Sequence, residues 1–349
     1  MMSQEELQHI FNLDLDELSE VIQSAGLEKY RAKQIWRAIY TRDIDSPREI
    51  HELSRESRKL LSELFSFSNL DTKASVRSQD DHTEKILFKL PDENAIETVI
   101  MNYDDRHTAC ISSQVGCGLG CVFCATGQMG LQRNLSKGEV VEQVVQAARM
   151  LRRGGQKLTN IVVMGMGEPF QNYEAVMGAV DILNDPDGFN FGARRFTIST
   201  VGLVPGIEKF SQERRQVNLA VSLHAATDDL RDRLLPINKK YPLEKLIPAC
   251  RRYVHETGRR ITFEWALIEG ENDSLNQARA LANLVKGMRC HVNIIPLNVT
   301  RGYAGNASAR VRVDAFHKLL NEAGIICSIR VRRGIDIQAG CGQLAAEHT

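Results

Sequence analysis

Three cysteines, Cys117, Cys121 and Cys124, share an eight-residue loop with the spacing C-x3-C-x2-C. Three thiolates in so short a loop can bind three irons of a 4Fe–4S cluster and leave the fourth iron open to a further ligand. Glycines before and within the loop let the backbone pass close to such a cluster. The alternative is a zinc site, which normally takes four Cys or His ligands, and His107 is one residue that could complete it. The spacing favours the cluster over zinc.

A second glycine motif, Met164-Gly-Met-Gly-Glu168-Pro169, directly follows a predicted buried strand. By itself this pattern is weak, because a plain tight turn would use the same residues. Taken with the cysteine loop, in which Phe123 precedes the last cysteine, it resembles the radical S-adenosylmethionine (SAM) superfamily. That resemblance implies that Gly167 and Glu168 lie where backbone groups bind the amino group of SAM.

Polar residues also follow three later strands of the predicted sheet. Each of them alone is typical of a strand-end cap. In a mainly parallel sheet, however, the carboxyl ends of the strands meet at one edge, where ligands bind. We therefore expect one cofactor site to be lined by Ser199, Ser222, Leu223, His224 and Asn298.

The elements that must position these residues fall into three predicted segments. Residues 1–72 show helical periodicity and predict an accessory helical domain. Residues 73–106 predict a β-hairpin around a turn that begins at Pro91. Residues 107–344 alternate about six strands with helices, and Ser136 with Glu139 predicts a capping box at the first long helix. This alternation predicts an α/β core with a mainly parallel sheet, either an open doubly wound sheet or a partial barrel.

Five further cysteines lie outside the loop. Cys250, Cys290 and Cys327 fall in apolar helix or strand patterns, which predicts buried structural positions. Cys341 lies in a glycine-rich segment near the end of the chain, where a core role is unfavourable. Cys110 precedes the loop by seven residues and fits either kind of position.

The charge balance gives little indication of a partner. The chain of 349 residues has 44 basic and 44 acidic residues, so net charge does not favour nucleic acid. Basic residues do cluster, most densely over residues 330–333, and either converge into one basic patch or remain scattered and solvated. No apolar stretch is long enough for a membrane span and the N-terminus does not resemble a signal peptide, which predicts a cytoplasmic protein without membrane contact.

Several motifs in register resemble the RlmN/Cfr family of ribosomal RNA adenosine methyltransferases, and the likeness covers nearly the whole chain. The motifs are Cys110-Ile-Ser-Ser-Gln-Val-Gly-Cys117, Phe123-Cys-Ala-Thr-Gly, Met164-Gly-Met-Gly-Glu-Pro, Val221-Ser-Leu-His-Ala and Asp336-Ile-Gln-Ala-Gly-Cys341-Gly-Gln-Leu. The resemblance implies a partial (β/α)6 radical SAM barrel. It also implies a 4Fe–4S cluster held by the three loop cysteines and two molecules of SAM per turnover.

The resemblance further implies how a methyl group reaches an unreactive adenine carbon. Cys341 takes a methyl group from one SAM. A 5′-deoxyadenosyl radical made from a second SAM then removes a hydrogen from this S-methyl group. The resulting carbon radical adds to the adenine ring. Glu97 is then the general base for the ring proton. Cys110 attacks the sulfur of Cys341, which releases the RNA and leaves a Cys110–Cys341 disulfide to be reduced. From the residues alone, Glu97 would be an outward-facing strand glutamate.

Two departures from the family pattern lie beside Cys341. The usual Asp-Ile-Asp-Ala-Ala-Cys reads Asp-Ile-Gln-Ala-Gly-Cys here. Gln338 removes a charge, and Gly340 is expected to loosen the backbone next to the reactive cysteine.

The choice of adenine carbon rests on three short segments. The segment from Gly334 resembles the branch that methylates carbon 8, whereas the segments at Glu168 and Asn238 resemble the carbon 2 branch. We expect carbon 2 of an adenosine in 23S rRNA as the target, with a transfer RNA adenosine as a second substrate, a flavodoxin-like reductant and a monomeric enzyme. The alternatives are carbon 8 of the same adenosine, a radical SAM enzyme with a substrate other than RNA, and a non-catalytic RNA-binding protein with a zinc site.

Overall fold

The structure is a computed structural model that describes residues 7–42 and 44–346. Residues 1–6, on which the prediction about the signal peptide partly rests, lie outside the described residues. The strands are β1 (Gln8–His9), β2 (Phe65–Ser66), β3 (Asp71–Arg77), β4 (Thr83–Lys89), β5 (Ala95–Asn102), β6 (His107–Cys110), β7 (Gln114–Cys117), β8 (Gly130–Asn134), β9 (Asn160–Val163), β10 (Phe196–Thr200), β11 (Asn218–Ser222), β12 (Ile261–Leu267), β13 (Cys290–Pro296) and β14 (Cys327–Ile329).

The α-helices lie mainly between the later strands, as the alternating pattern predicts. They are α1 (Leu15–Ser24), α2 (Arg31–Thr41), α3 (Arg55–Leu64), α4 (Ala125–Gln128), α5 (Lys137–Arg153), α6 (Tyr173–Asn184), α7 (Val204–Glu213), α8 (Asp228–Leu234), α9 (Leu243–Thr257), α10 (Leu275–Val285) and α11 (Arg310–Glu322). In the part of the chain that the structure describes, no helix is both long and apolar enough to cross a membrane.

The core of the fold is a curved parallel sheet in the order β6-β9-β10-β11-β12-β13-β14. Each of these strands pairs with the next parallel strand along the chain, without the reversal of order that marks a doubly wound sheet. On its other side β6 pairs with β5, so the sheet continues outward there instead of closing on β14. This arrangement confirms the partial barrel.

The predicted hairpin is part of a larger antiparallel extension of the same sheet. Strands β4 and β5 form the hairpin, and β3 adds a third strand along β4. The sequence analysis missed β3 because its residues are mostly exposed and show no apolar pattern. β3 begins inside the segment predicted to be helical, and that segment also contains the short β1–β2 pair. The division at residues 72 and 106 stays a prediction.

The capping box at the start of α5 is confirmed. The backbone N–H of Glu139 donates to the hydroxyl of Ser136 at 3.2 Å, and the backbone N–H of Ser136 donates to the Glu139 carboxylate at 2.8 Å. These two bonds fix the first turn of the helix that follows the cysteine loop and strand β8.

One junction between the N-terminal helical segment and the core is a buried carboxylate on α5. Glu142 is fully buried and accepts hydrogen bonds from the Ser68 hydroxyl at 2.6 Å and from the Asn69 backbone N–H at 2.9 Å. Nε2 of His9 lies 3.1 Å from the same carboxylate. Donors from both ends of the N-terminal segment therefore converge on a single side chain of the core.

Glu142→Ala is expected to loosen this junction, because it removes the buried acceptor that the Ser68 hydroxyl and the Asn69 backbone N–H share. Losing the partner of such hydrogen bonds costs about 1–3 kcal/mol. We expect a lower melting temperature and faster proteolysis between residues 8 and 66, with Glu174→Ala on the exposed surface of α6 as the control. Unchanged melting and proteolysis would show that Glu142 does not hold the segment.

Candidate active site

A single cavity at the carboxyl ends of the parallel strands contains most of the predicted site residues. It lies between the cysteine loop, the ends of the central strands and the segment around Cys341. Its lining includes Cys110, Cys117, Cys121, Cys124, Gly167, Glu168, Ser199, Ser222, His224, Asn298 and Cys341. Two predicted site residues, Leu223 and Glu97, do not line it.

The cysteine loop follows β7 and is shaped by close backbone contacts. At Gly116 the backbone has φ +72°, and a Cβ atom would lie 1.9 Å from the carbonyl oxygen of Gly130, so that only glycine allows β7 and β8 to pair here. Among the described residues, no three His, Cys, Asp or Glu side chains are spaced to hold one metal ion. A cluster does not require that spacing, because each thiolate binds a different iron. Cys117, Cys121 and Cys124 facing one cavity fit such a cluster.

Glu168 organises the turn after β9 through its side chain. One carboxylate oxygen accepts from the backbone N–H of Phe170 at 3.0 Å, and the other accepts from that of Val201 at 2.8 Å. Burial raises the pKa of Glu168 to about 7, although these backbone donors act in the opposite direction. Because both carboxylate oxygens already have partners, we infer that the Glu168 side chain shapes the turn and does not itself bind a ligand. The backbone of the turn is then available to a ligand.

The polar residues at the strand ends lie together as predicted, and two of them have defined roles. The ring of His224 is buried and its Nδ1 accepts from the backbone N–H of Ala266 at 2.8 Å. Burial lowers the pKa of His224 to about 3, so the ring is neutral and is not an acid–base group near neutral pH. Asn298 donates to the backbone carbonyl of Cys341 at 3.1 Å, while its Oδ1 is buried without a protein partner.

Arg231 is a site residue that the sequence analysis missed. It is fully buried and donates to the carbonyls of Val201 at 2.6 Å and Leu223 at 3.2 Å and to the Asn238 side chain at 2.8 Å. The guanidinium thus ties the end of β10 to the end of β11. Leu223 contributes its backbone carbonyl to this contact, and its apolar side chain is buried in the core. No local pattern marks Arg231, because its partners are far apart in the sequence.

The segment of residues 340–346, here called the strap, crosses the cavity beside the cysteine loop. Its carbonyls accept from the backbone N–H of Ala125 at 2.7 Å and from the hydroxyl of Thr126 at 2.6 Å. At Gly340, a Cβ atom would lie 2.6 Å from Nδ2 of Asn298 and 2.8 Å from Oε1 of Gln343. Gly340 therefore allows close packing of the strap, and the expectation that it loosens the backbone stays a prediction.

The two reactive cysteines of the predicted mechanism face the same cavity as free thiols. All eight cysteines of the chain lie within the described residues, and none forms a disulfide. Burial raises the pKa of Cys110 to about 12, with the nearby Cys341 as a further cause. Arg330, another residue that the sequence analysis did not single out, donates from Nη1 to the sulfur of Cys341 at 3.6 Å. Cys341 also raises the pKa of Arg330, whose guanidinium therefore stays charged.

Glu97 is neither exposed nor a cavity residue. Only 1% of its surface is accessible, and its Oε1 lies 2.9 Å from Nζ of Lys85, itself buried. Its Oε2 accepts from the backbone N–H groups of Ala345 and Ala346 at 2.9 and 3.2 Å. The outward-facing strand position considered from the residues alone is therefore wrong, and the strap covers this carboxylate.

Comparisons with known proteins agree with this geometry. Residues 111–282 match the model of the radical SAM superfamily, and residues 8–66 match that of the ribosomal RNA large subunit methyltransferase N-terminal domain. A probable dual-specificity RNA methyltransferase RlmN of Chloroflexus aurantiacus is 45% identical, over 97% of this chain and 93% of that protein. The dual-specificity RNA methyltransferase RlmN 1 of Myxococcus xanthus is 46% identical, over 97% and 94%. The chain belongs to the RlmN family.

A solved structure shows the same fold as this RlmN family member. The crystal structure of a radical SAM methyltransferase from Sphaerobacter thermophilus superposes with a TM-score of 0.96 at 50% identity, covering 97% of this chain and all of that one. The predictions of a radical SAM enzyme, of its family and of its fold are thereby confirmed. Membership of the radical SAM superfamily implies SAM and a 4Fe–4S cluster as cofactors.

Glu168→Gln is expected to weaken SAM binding, because an amide has one acceptor oxygen and cannot accept from both Phe170 and Val201. The unmatched N–H groups would displace the turn after β9 at a cost of about 1–3 kcal/mol. The dissociation constant of SAM, measured on the iron-loaded protein, should rise relative to the wild type and to the surface variant Glu269→Gln. Equal affinity in all three proteins would contradict this role of Glu168.

Proposed function

We propose that this RlmN family member methylates carbon 2 of an adenosine in 23S rRNA, in the cytoplasm, through an S-methylated Cys341. A transfer RNA adenosine is the second substrate, in keeping with the dual-specificity names of the relatives. Each turnover uses two molecules of SAM, one as the methyl donor and one as the radical source. The enzyme acts as a monomer and takes its electrons from a flavodoxin-like protein.

The observation that carries this proposal is the convergence of five cysteines on one cavity. Cys117, Cys121 and Cys124 fit a cluster with an open iron, while Cys110 and Cys341 lie on the same lining. A radical enzyme that modifies only its substrate, and not itself, does not need the thiols of Cys110 and Cys341. Their presence beside the cluster loop indicates that the protein itself carries the carbon that is transferred.

When bound, the cluster and SAM supply a 5′-deoxyadenosyl radical and the one-electron redox partner of the reaction. The residues of the chain then have three tasks. The sulfur of Cys341 holds the methyl carbon, and Arg330 and Asn298 fix its position through the contacts described above. Glu97 accepts the proton lost from the adenine ring. Cys110 forms a bond to the sulfur of Cys341 as the bond from that sulfur to carbon breaks, and the released carbon keeps the electron pair and gains a proton.

This last step leaves a disulfide between Cys110 and Cys341. The free thiols of the structure correspond to the reduced enzyme that enters a turnover. A dithiol reductant must cleave the disulfide by exchange before the next turnover.

Cys110→Ala is expected to stop the reaction at a covalent protein–RNA adduct, because no sulfur remains to attack Cys341. The iron-loaded variant, incubated with SAM, reductant and a 23S rRNA fragment, should retain RNA through denaturing electrophoresis. Peptide mass spectrometry should then find the RNA at Cys341.

One control variant and one analysis of its product make this result specific. Cys250→Ala, which changes a buried cysteine of α9 outside the cavity, should release methylated RNA as the wild type does. Mass spectrometry of that product separates 2-methyl- from 8-methyladenosine and so tests the proposed carbon. A Cys110→Ala enzyme that turns over without an adduct would contradict the releasing role of Cys110.

The release of product is expected to depend steeply on pH. A thiol with a pKa of about 12 is protonated near neutral pH, and only its thiolate attacks sulfur. The thiolate fraction of Cys110, and with it the release rate in a single turnover, should rise about tenfold per unit between about pH 7 and pH 9. Formation of 5′-deoxyadenosine in the same samples serves as the control. A release rate that does not change over this range would show that another group governs this step.

A further inference from the structure

Strand alternation and register place Glu97 on the same surface as the cavity. On β5, Val99 and Met101 line the cavity, and side chains two residues apart point to the same face of a sheet. Glu97 therefore faces the cavity side as well. In the neighbouring strands, Lys85 lies directly opposite Val99, and Val99 lies opposite Cys110. Lys85, Glu97 and Cys110 thus share one surface of the antiparallel extension.

The two oxygens of the Glu97 carboxylate have partners of different kinds. Oε1 lies 2.9 Å from Nζ of Lys85, a side chain fixed in the sheet. Within residues 7–42 and 44–346, the donors to Oε2 are the backbone N–H groups of Ala345 and Ala346 in the strap. The strap also carries Cys341, and Leu344 of the strap lines the cavity beside this carboxylate. One oxygen is therefore held from within the sheet, and the other is covered by backbone groups of a segment outside the sheet.

We propose that Lys85 is the positioning residue for removal of the ring proton, and that Oε2 of Glu97 accepts this proton after Ala345 and Ala346 withdraw. The inference rests on the proposed function, in which Cys341 becomes bonded to the adenine ring. The ring C–H bond then breaks, its electron pair stays in the ring, and the proton passes to Oε2, while the unpaired electron of the adduct would leave to the one-electron redox partner named under the proposed function. Lys85 remains bound to Oε1 throughout.

The Glu97 carboxylate needs Lys85 because the carboxylate is buried. When the strap N–H groups leave Oε2, Lys85 is the one described protein partner that the carboxylate retains. A buried carboxylate without a partner carries a large desolvation penalty, so it would turn away or keep its bonds to the strap. Lys85 holds the carboxylate at the surface it shares with Cys110.

The test compares three variants of the full-length, iron-loaded enzyme. Lys85→Met removes the ammonium group and keeps the length of the side chain, whereas Lys85→Arg keeps a cation. Lys89→Met is the matched control, because Lys89 lies on the same strand and pairs with the exposed Glu93. The substrate is a 23S rRNA fragment, either unlabelled or deuterated at the ring carbon that the enzyme methylates. Methylation of Cys341, formation of 5′-deoxyadenosine, the covalent adduct and released RNA are each quantified over time.

In Lys85→Met we expect Cys341 methylation and 5′-deoxyadenosine formation at wild-type rates, with release slowed by roughly 10–100-fold. The covalent adduct should accumulate although Cys110 is intact. Release by Lys85→Met should also show a larger primary deuterium isotope effect than release by the wild type or by Lys89→Met. In Lys85→Arg, which keeps a cation, this isotope effect should be smaller than in Lys85→Met. The isotope effect is a ratio of rates on folded molecules, so it does not depend on how much of the variant folds.

Two results would overturn the inference. One is an isotope effect on release that is the same in Lys85→Met and the wild type. The other is an equal loss of all four readouts in Lys85→Met, including Cys341 methylation. That loss would show that Lys85 anchors the strap and does not act on removal of the ring proton. A wild-type enzyme that methylates no adenosine in this assay is a different outcome, since it would refute the proposed function itself.

Discussion

Two hydrogen bonds join the strap to the turn that follows the cysteine loop. The backbone N–H of Ala125 donates to Gly342, and the hydroxyl of Thr126 donates to Leu344, across 218 residues of sequence in the second case. Together with the contacts of Asn298 and Arg330 to Cys341, these bonds hold the strap against the cysteine loop. The geometry of the whole site depends on this attachment, because Cys341 and the three cysteines of the loop come from opposite ends of the barrel sequence.

The barrel strands form the rigid part of the site, against which the strap packs. Its parallel strands follow one another in chain order, so their carboxyl ends form a continuous rim. Arg231 joins two of these ends from inside the protein, and Glu168 joins the turn after β9 to Val201 after β10. Buried polar groups with all their bonds satisfied make such a rim rigid. The strap thus packs against a rim that keeps its shape, as the precise placement of reacting groups requires.

The features that were predictable from sequence are those encoded locally. The cysteine loop, the glycine turn at Gly167, the capping box at Ser136 and the alternation of strands and helices all appear within a few residues, and the structure confirms these elements. Residues whose roles depend on distant partners were not predictable in this way. Arg231, Arg330 and Lys85 look like ordinary charged residues until the fold brings their partners to them. The burial of Glu97 likewise depends on a strap that lies 248 residues further along the chain.

In the proposed reaction, Cys341 delivers its methyl carbon to RNA after that carbon has lost one hydrogen. The most direct test uses SAM with a fully deuterated methyl group and mass spectrometry of both products. The methyl group on adenosine should carry two deuterium atoms and one hydrogen, and 5′-deoxyadenosine should carry the third deuterium. A product methyl group with all three deuterium atoms, together with unlabelled 5′-deoxyadenosine, would contradict this reaction.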